Sequence, residues 1–178
     1  MTDGEALGRM ASGEPEALRF ILDRYEGRVY AFALALTRSP DDAADVVQDA
    51  FLVLLRRPDA YDPARGTLGA FLLGVARNLV LNRWRARRLE RPLEEGAGAA
   101  SEQDARVARR LESEGEAVAL HDAVGRLSPV QRQVIALRFQ QEQPLEEISG
   151  TMMLPLNTVK SHLRRAVLRL RSDLGHGG

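Results

Sequence analysis

Asp41, Asp42 and Asp45 stand in "SPDDAADVVQDAFLVLL" (residues 39–55) at the spacing some enzymes use to hold magnesium and diphosphate. Carboxylate oxygens suit a hard divalent cation. Such a site also needs a second acidic cluster on a facing helix and a deep apolar pocket between long helices. The only other concentration of acids falls in residues 92–114, and no His-x-x-Glu or Glu-x-x-His pair exists to build a carboxylate-bridged centre. The chain has no cysteine, which excludes disulfides, thiolate zinc sites and thiol nucleophiles. No catalytic residue, metal or cofactor is expected, and the chain reads as something other than an enzyme.

Helical geometry gives the same carboxylates different work. Ser39 suits an N-cap, Pro40 the first helical position, and Asp42 falls three residues after the cap as in a capping box. Acids in a first turn also favour the positive end of the helix dipole by about 0.3–1 kcal/mol each. At about 100° per residue, Ala43, Val46, Val47, Ala50 and Leu54 form a core face. Opposite them lie Asp41, Asp45, Gln48, Asp49, Leu52 and Arg56. A solvated face has no need of Leu52, so this one is expected to dock a protein.

The cations lie elsewhere, which makes the formal net charge of zero uninformative. "RWRARRLER" (residues 83–91) ends a helix whose outer stripe collects Arg77, Leu81, Trp84, Arg85 and Arg88. Guanidinium groups with an interleaved indole suit a nucleic-acid strand, by phosphate neutralisation and stacking, although a solvated basic helix end is the competing reading. A turn-rich loop, "AYDPARGTLG" (residues 60–69), precedes it. Near the C-terminus, "LEEISGTMMLPLNTVKSHLRRAVLRL" resembles a helix-turn-helix. The start of its second helix would offer Asn157, Thr158, Lys160 and Ser161 to a major groove, with Arg164 and Arg165 one turn on. Ile148, Met152, Leu156, Val159, Leu163, Val167 and Leu170 supply its buried stripe.

Apolar residues recur at three- and four-residue spacing throughout, without sustained alternation, and the prolines fall between the periodic runs. The expected fold is all-α: two small helical domains joined by a linker, the C-terminal one a helix-turn-helix. Helices are predicted over residues 16–37, from Ser39 onward, and from Thr67 through the arginines with Leu68, Leu72, Val75, Ala76 and Leu79 inward. These make a three-helix bundle within residues 1–91. Glycine, alanine and acids in residues 92–114 predict the linker. Helices over 116–126, 129–139, 145–152 and 155–174 complete residues 115–178. The N-terminus has no apolar core of signal-peptide length and no stretch suits a membrane span, so no membrane insertion and a cytoplasmic location are expected.

Three segments in this order resemble an extracytoplasmic-function sigma factor of bacterial RNA polymerase over nearly the whole chain. "DDAADVVQDAFLVLL" is similar to that family's polymerase-binding helix and "GAFLLGVARNLVLNRWRARR" to its melting and minus-ten-reading helix. "AVGRLSPVQRQVIALRFQQEQPLEEISGTMMLPLNTVKSHLRRAVLRLR" is similar to its minus-thirty-five-reading domain. The resemblance implies that Asp45, Gln48, Asp49 and Leu52 contact the coiled coil of the polymerase's largest subunit, with the flap region as a further polymerase contact. It implies that Tyr61, Arg65, Arg77, Asn78, Asn82, Arg85 and Arg88 engage the minus-ten element. Arg138, Asn157, Thr158, Lys160, Ser161, Arg164 and Arg165 would engage the minus-thirty-five element. Partners are then core RNA polymerase, promoter DNA and an anti-sigma factor. The chain departs from the family in having Met153 at a turn often occupied by glycine, His162 where arginine is frequent, Asn82 in place of a common aspartate, and Tyr61 as the sole aromatic of its strand-capturing loop. A stand-alone helix-turn-helix regulator is the alternative, since "LSPVQRQVIALRF" followed by "NTVKSHL" also resembles the DNA-binding domain of quorum-sensing and response-regulator proteins.

Overall fold

Thr2 begins the first helix, α1 (Asp3–Ala11), with a reciprocal cap: its hydroxyl accepts from Glu5 N at 3.3 Å, and Glu5 Oε2 accepts from Thr2 N at 2.7 Å. A computed structural model describes residues 1–90 and 115–175, and within them every regular element is helical. α2 (Pro15–Thr37) starts with proline in its first turn and stops where Arg38 turns left-handed at φ 57°. α3 (Pro40–Arg56) follows at once, its Ser39 Oγ accepting from Asp42 N at 3.3 Å. Two short 3₁₀ turns, Pro58–Ala60 and Pro63–Arg65, lead into α4 (Leu68–Glu90).

α2 is the centre of this first unit and packs against α1, α3 and α4, while α3 also packs along α4. Its core holds Ile21, Phe32 and Leu36 of α2, Val46 and Leu54 of α3, and Leu68, Leu72, Leu73, Ala76 and Val80 of α4. Each fully buried large side chain stabilises the unit by roughly 1.5–3 kcal/mol relative to exposure. Gly69 lets α4 approach α2: a Cβ there would lie 3.1 Å from both Arg28 Nη1 and Tyr25 Cε1. Tyr25 in turn ties α1 down, its hydroxyl donating to Asp3 Oδ2 at 2.6 Å. Burial and then that carboxylate push the Tyr25 pKa up to about 12.

The structure corrects two features expected from the sequence. The bundle has four helices, not three: α1 is only nine residues long, yet its Ala6, Leu7 and Met10 are buried. On α4 the inward set includes Leu73 and Val80, whereas Val75 and Leu79 are only half-buried. Burial on two sides, against α2 and α3, widens the core face beyond a single stripe.

The second unit takes in α5 (Gly115–Gly125), α6 (Pro129–Ile135), α7 (Leu145–Met152) as far as Ser149, and α8 (Leu156–Gly175). Ser128 and Gln131 form a capping box at the start of α6. α6 runs on into a π-helical segment, Ala136–Gln140, closed by Gln141 N donating to Ala136 O at 3.1 Å. α8 packs on α5 and α6, and Leu127, Ile135 and Ala166 form a core joined by Leu163, Val167 and Leu170. The expected linker, residues 92–114, lies outside the described residues.

Candidate functional site

The acids of α3 face the arginines of α4 across the helix pair. Arg83 Nη2 meets Asp49 Oδ2 at 2.8 Å and Arg83 Nη1 meets Asp45 Oδ2 at 3.7 Å. Arg87 Nη2 meets Asp42 Oδ1 at 2.7 Å. Acids at 42, 45 and 49 and arginines at 83 and 87 each share a helix face through three- and four-residue spacing, so packing α3 on α4 brings the two rows together. Asp42 is therefore not chiefly a cap: its backbone N–H is capped by Ser39, but its carboxylate reaches back to Arg87 instead of to the Ser39 N–H. Among the described residues no three His, Cys, Asp or Glu side chains gather as a metal set.

Asp45 and Gln48 are exposed, with the Asp45 side chain 67% accessible, while Asp49 is half-covered by Arg83. Leu52 is half-buried, where the sequence suggested an exposed leucine. The exposed leucine of this helix is Leu55.

On α4, Arg77, Asn78, Asn82, Arg85 and Arg88 occupy an arc distinct from Arg83 and Arg87 at about 100° per residue. Asn78, Asn82, Arg85 and Arg88 are exposed. Arg77 is half-buried, and that burial, followed by the like charge of Arg85, lowers its pKa. Tyr61 is half-buried. Its ring packs on Phe71 with centroids 5.7 Å apart, and its hydroxyl donates to Gly66 O at 3.2 Å. Partial burial and then the charges of Asp3 and Asp62 raise its pKa. Tyr61 thus shapes the loop, as does Asp62 Oδ1, which accepts from Ala64 N at 2.9 Å, and Arg65 is left exposed at the loop's tip.

A Schellman turn joins α7 to α8: Leu154 N donates to Ser149 O at 3.1 Å and Met153 N to Gly150 O at 3.3 Å. Met153 takes the left-handed position, φ 54°, that glycine adopts without strain. Ser149 Oγ donates to Leu154 O at 2.6 Å and reinforces the corner. Asn157, Lys160, Ser161, Arg164 and Arg165 are all exposed on α8, opposite buried Val159 and Ala166. Thr158 is half-buried. Arg138 is exposed on the π-helical segment, but its Nη1 donates to Gln143 O at 3.0 Å, so the guanidinium is partly committed to its own loop. Neither the π-helical segment nor the pairing of Arg83 and Arg87 follows from the sequence expectations above; the pairing is legible as a four-residue spacing that matches the acid row.

Residues 21–90 match the family model for Sigma-70 region 2 and residues 123–172 that for Sigma-70, region 4. The chain is 32% identical over 166 residues to the RNA polymerase sigma-E factor of Streptomyces antibioticus, covering 93% of this chain and 88% of that one. It is 29% identical over 171 residues to the ECF RNA polymerase sigma factor SigK of Mycobacterium sp. (strain KMS), covering 95% of this chain and 89% of that one. Two solved structures share the fold at 23% identity. CnrH, in complex with the cytosolic domain of CnrY, aligns with a TM-score of 0.72 over 99% of each chain. RpoE, in complex with the anti-sigma factor NepR from Bartonella quintana, aligns at 0.71 over 90% of this chain and 98% of that one.

Proposed function

The chain belongs to the extracytoplasmic-function sigma factors of bacterial RNA polymerase, and on that premise we propose how its faces divide the work of starting transcription. Asp45, Gln48, Asp49 and Leu52 dock α3 on the coiled coil of the polymerase's largest subunit. Tyr61, Arg65, Arg77, Asn78, Asn82, Arg85 and Arg88 engage the non-template strand at the minus-ten element. Arg138, Asn157, Thr158, Lys160, Ser161, Arg164 and Arg165 engage the minus-thirty-five element, and the flap region is the polymerase contact of the second unit. Residues 1–91 and 115–178 are the two working domains and 92–114 their connection.

The observation that carries this reading is the sorting of charge on the first unit. Acids line α3, the arginines nearest them are consumed in pairs, and a separate arc of α4 keeps Arg85 and Arg88 at the surface. One bundle can therefore meet a cationic protein surface and an anionic strand at once. Opening a duplex costs a few kcal/mol per unstacked base; guanidinium contacts to phosphates and polar pockets for extruded bases offset it. On α8 the exposed arc matches the geometry of a recognition helix, whose first turns read base edges while flanking cations hold phosphates.

The protein acts as an initiation factor without chemistry of its own, bond formation staying with the polymerase, and works in the cytoplasm where polymerase and DNA are. None of the described helices is long and apolar enough to cross a membrane. An anti-sigma factor belongs among the partners: two proteins of the same fold are held in complexes with NepR and with the cytosolic domain of CnrY. Co-purification from native cells identifies it. The test of the main reading is reconstitution. Core polymerase plus this protein initiates from a specific promoter while the protein alone binds that DNA poorly. Tight promoter binding without polymerase, and transcription indifferent to the protein, would refute it. Asp45→Lys with Asp49→Lys weakens core binding and leaves the fold intact; unchanged affinity removes α3 as the docking face.

A further inference from the structure

We infer that Arg83 is a positioning residue of the α3 docking face, acting on polymerase through the carboxylates it holds. The inference rests on the docking role proposed for Asp45 and Asp49. Three attachments carry it. Arg83 Nη2 binds Asp49 Oδ2 at 2.8 Å, Nη1 approaches Asp45 Oδ2 at 3.7 Å, and Nη1 also donates to the Asp42 carbonyl at 3.4 Å. They span two turns of α3, so one planar guanidinium fixes the row from below. Its side chain is only 28% exposed, against 67% for Asp45, which places the arginine beneath the carboxylates and not beside them in solvent.

A fork of fixed geometry orders carboxylates as a single point charge cannot. Side chains ordered before association do not have to be ordered by it, which strengthens an interface chiefly by slowing dissociation. The opposite expectation follows from charge alone. Arg83 cancels part of the negative field of α3, so a purely electrostatic view has its loss speeding association with a cationic partner. The two views differ in sign, and rates separate them.

The test measures association and dissociation of the protein with core polymerase for the parent, Asp45→Asn, Asp49→Asn, Arg83→Gln, the Asp49→Asn/Arg83→Gln double variant, Arg83→Lys and Arg87→Gln, with melting temperatures alongside. Positioning predicts that Arg83→Gln dissociates about three- to fivefold faster without slower association, within the range of a partly exposed ion pair. The double variant then dissociates no faster than Asp49→Asn alone. Arg83→Lys, which keeps the charge and loses the fork, falls between parent and Gln, and Arg87→Gln binds like the parent. Parental or tighter binding by both Arg83 variants, with Asp49→Asn still weakened, overturns the positioning role and leaves the docking face standing. Additive effects in the double variant overturn it as well. If Asp49→Asn and Asp45→Asn both bind like the parent, the docking reading itself fails and the positioning role falls with it. Should Arg83→Gln melt below the assay temperature, Arg83→Lys decides: a parental dissociation rate overturns the role.

Discussion

Among the described residues α4 and α8 are the two arginine-rich helices of this sigma factor, and they hold their cations in different ways. On α4, Arg83 and Arg87 are bound to the acids of α3, and Arg77 is half-buried. On α8, Lys160, Arg164, Arg165, Arg169 and Arg171 lie at the surface, and none makes an ion pair with another described residue. Among the described residues α8 is tied by charge at its far end alone, where Asp173 meets Arg126 at 3.2 Å. Counting arginines therefore overstates what α4 offers DNA and is a fair guide for α8. The difference has a packing origin: α4 lies along α3, which is acidic, whereas α8 packs through Leu163, Val167 and Leu170 on the apolar faces of α5 and α6.

The comparison can be broken most severely at the core that sets it. Leu54→Ala empties a fully buried site on α3 and should cost about 2–5 kcal/mol, read as a lower melting temperature of the first unit. Core affinity then fails through unfolding. Next in size is the effect on DNA. Replacing Lys160, Arg164 and Arg165 together by alanine should make the salt dependence of holoenzyme–promoter binding shallower by about 0.9 for each phosphate no longer neutralised. Replacing Arg83 and Arg87 should leave that slope unchanged; an equal change would show that the α4 pairs open on DNA.

A smaller effect tests the α7–α8 corner. Gly150 is exposed within α7 and a Cβ there meets nothing within 4 Å, so Gly150→Ala should stabilise the protein by up to about 1 kcal/mol. Met153→Gly removes a left-handed side-chain conformation but loosens the unfolded chain, and its gain should be smaller. Denaturant midpoints measure both. The smallest effect under ordinary conditions is at Tyr25. Its pKa rises from 10.0 to about 12 on folding, so the folded state holds the phenolic proton more tightly than the unfolded chain. That contribution is complete below pH ~10 and is lost as pH climbs toward 12. Phenolate absorbance during a pH titration should show one tyrosine ionising near 12, absent in Tyr25→Phe.

Much of the site is legible in the sequence because helical periodicity alone separates inward from outward residues. Val46, Val47, Ala50 and Leu54 are buried on α3, and Val159 is buried opposite exposed Asn157, Lys160 and Ser161 on α8, as their spacing indicates. α1 escapes a reading by periodicity since its nine residues make too few turns to repeat a pattern, although its Thr2 and Glu5 spell a capping box in the sequence. The contact of Tyr61 with Phe71 is not legible in the sequence, because nothing local says that Phe71, ten residues on, will stand beside it.

The residues by themselves determined the all-helical class, the acidic face of α3 and the exposed arc of α8, since each depends on spacing within one helix. Tertiary structure decided which charges remain available. Arg83 lies 34 residues from Asp49 along the chain, and Arg87 lies 45 from Asp42. A side chain's charge is fixed by its identity, but whether that charge is free for a partner depends on what the fold packs against it.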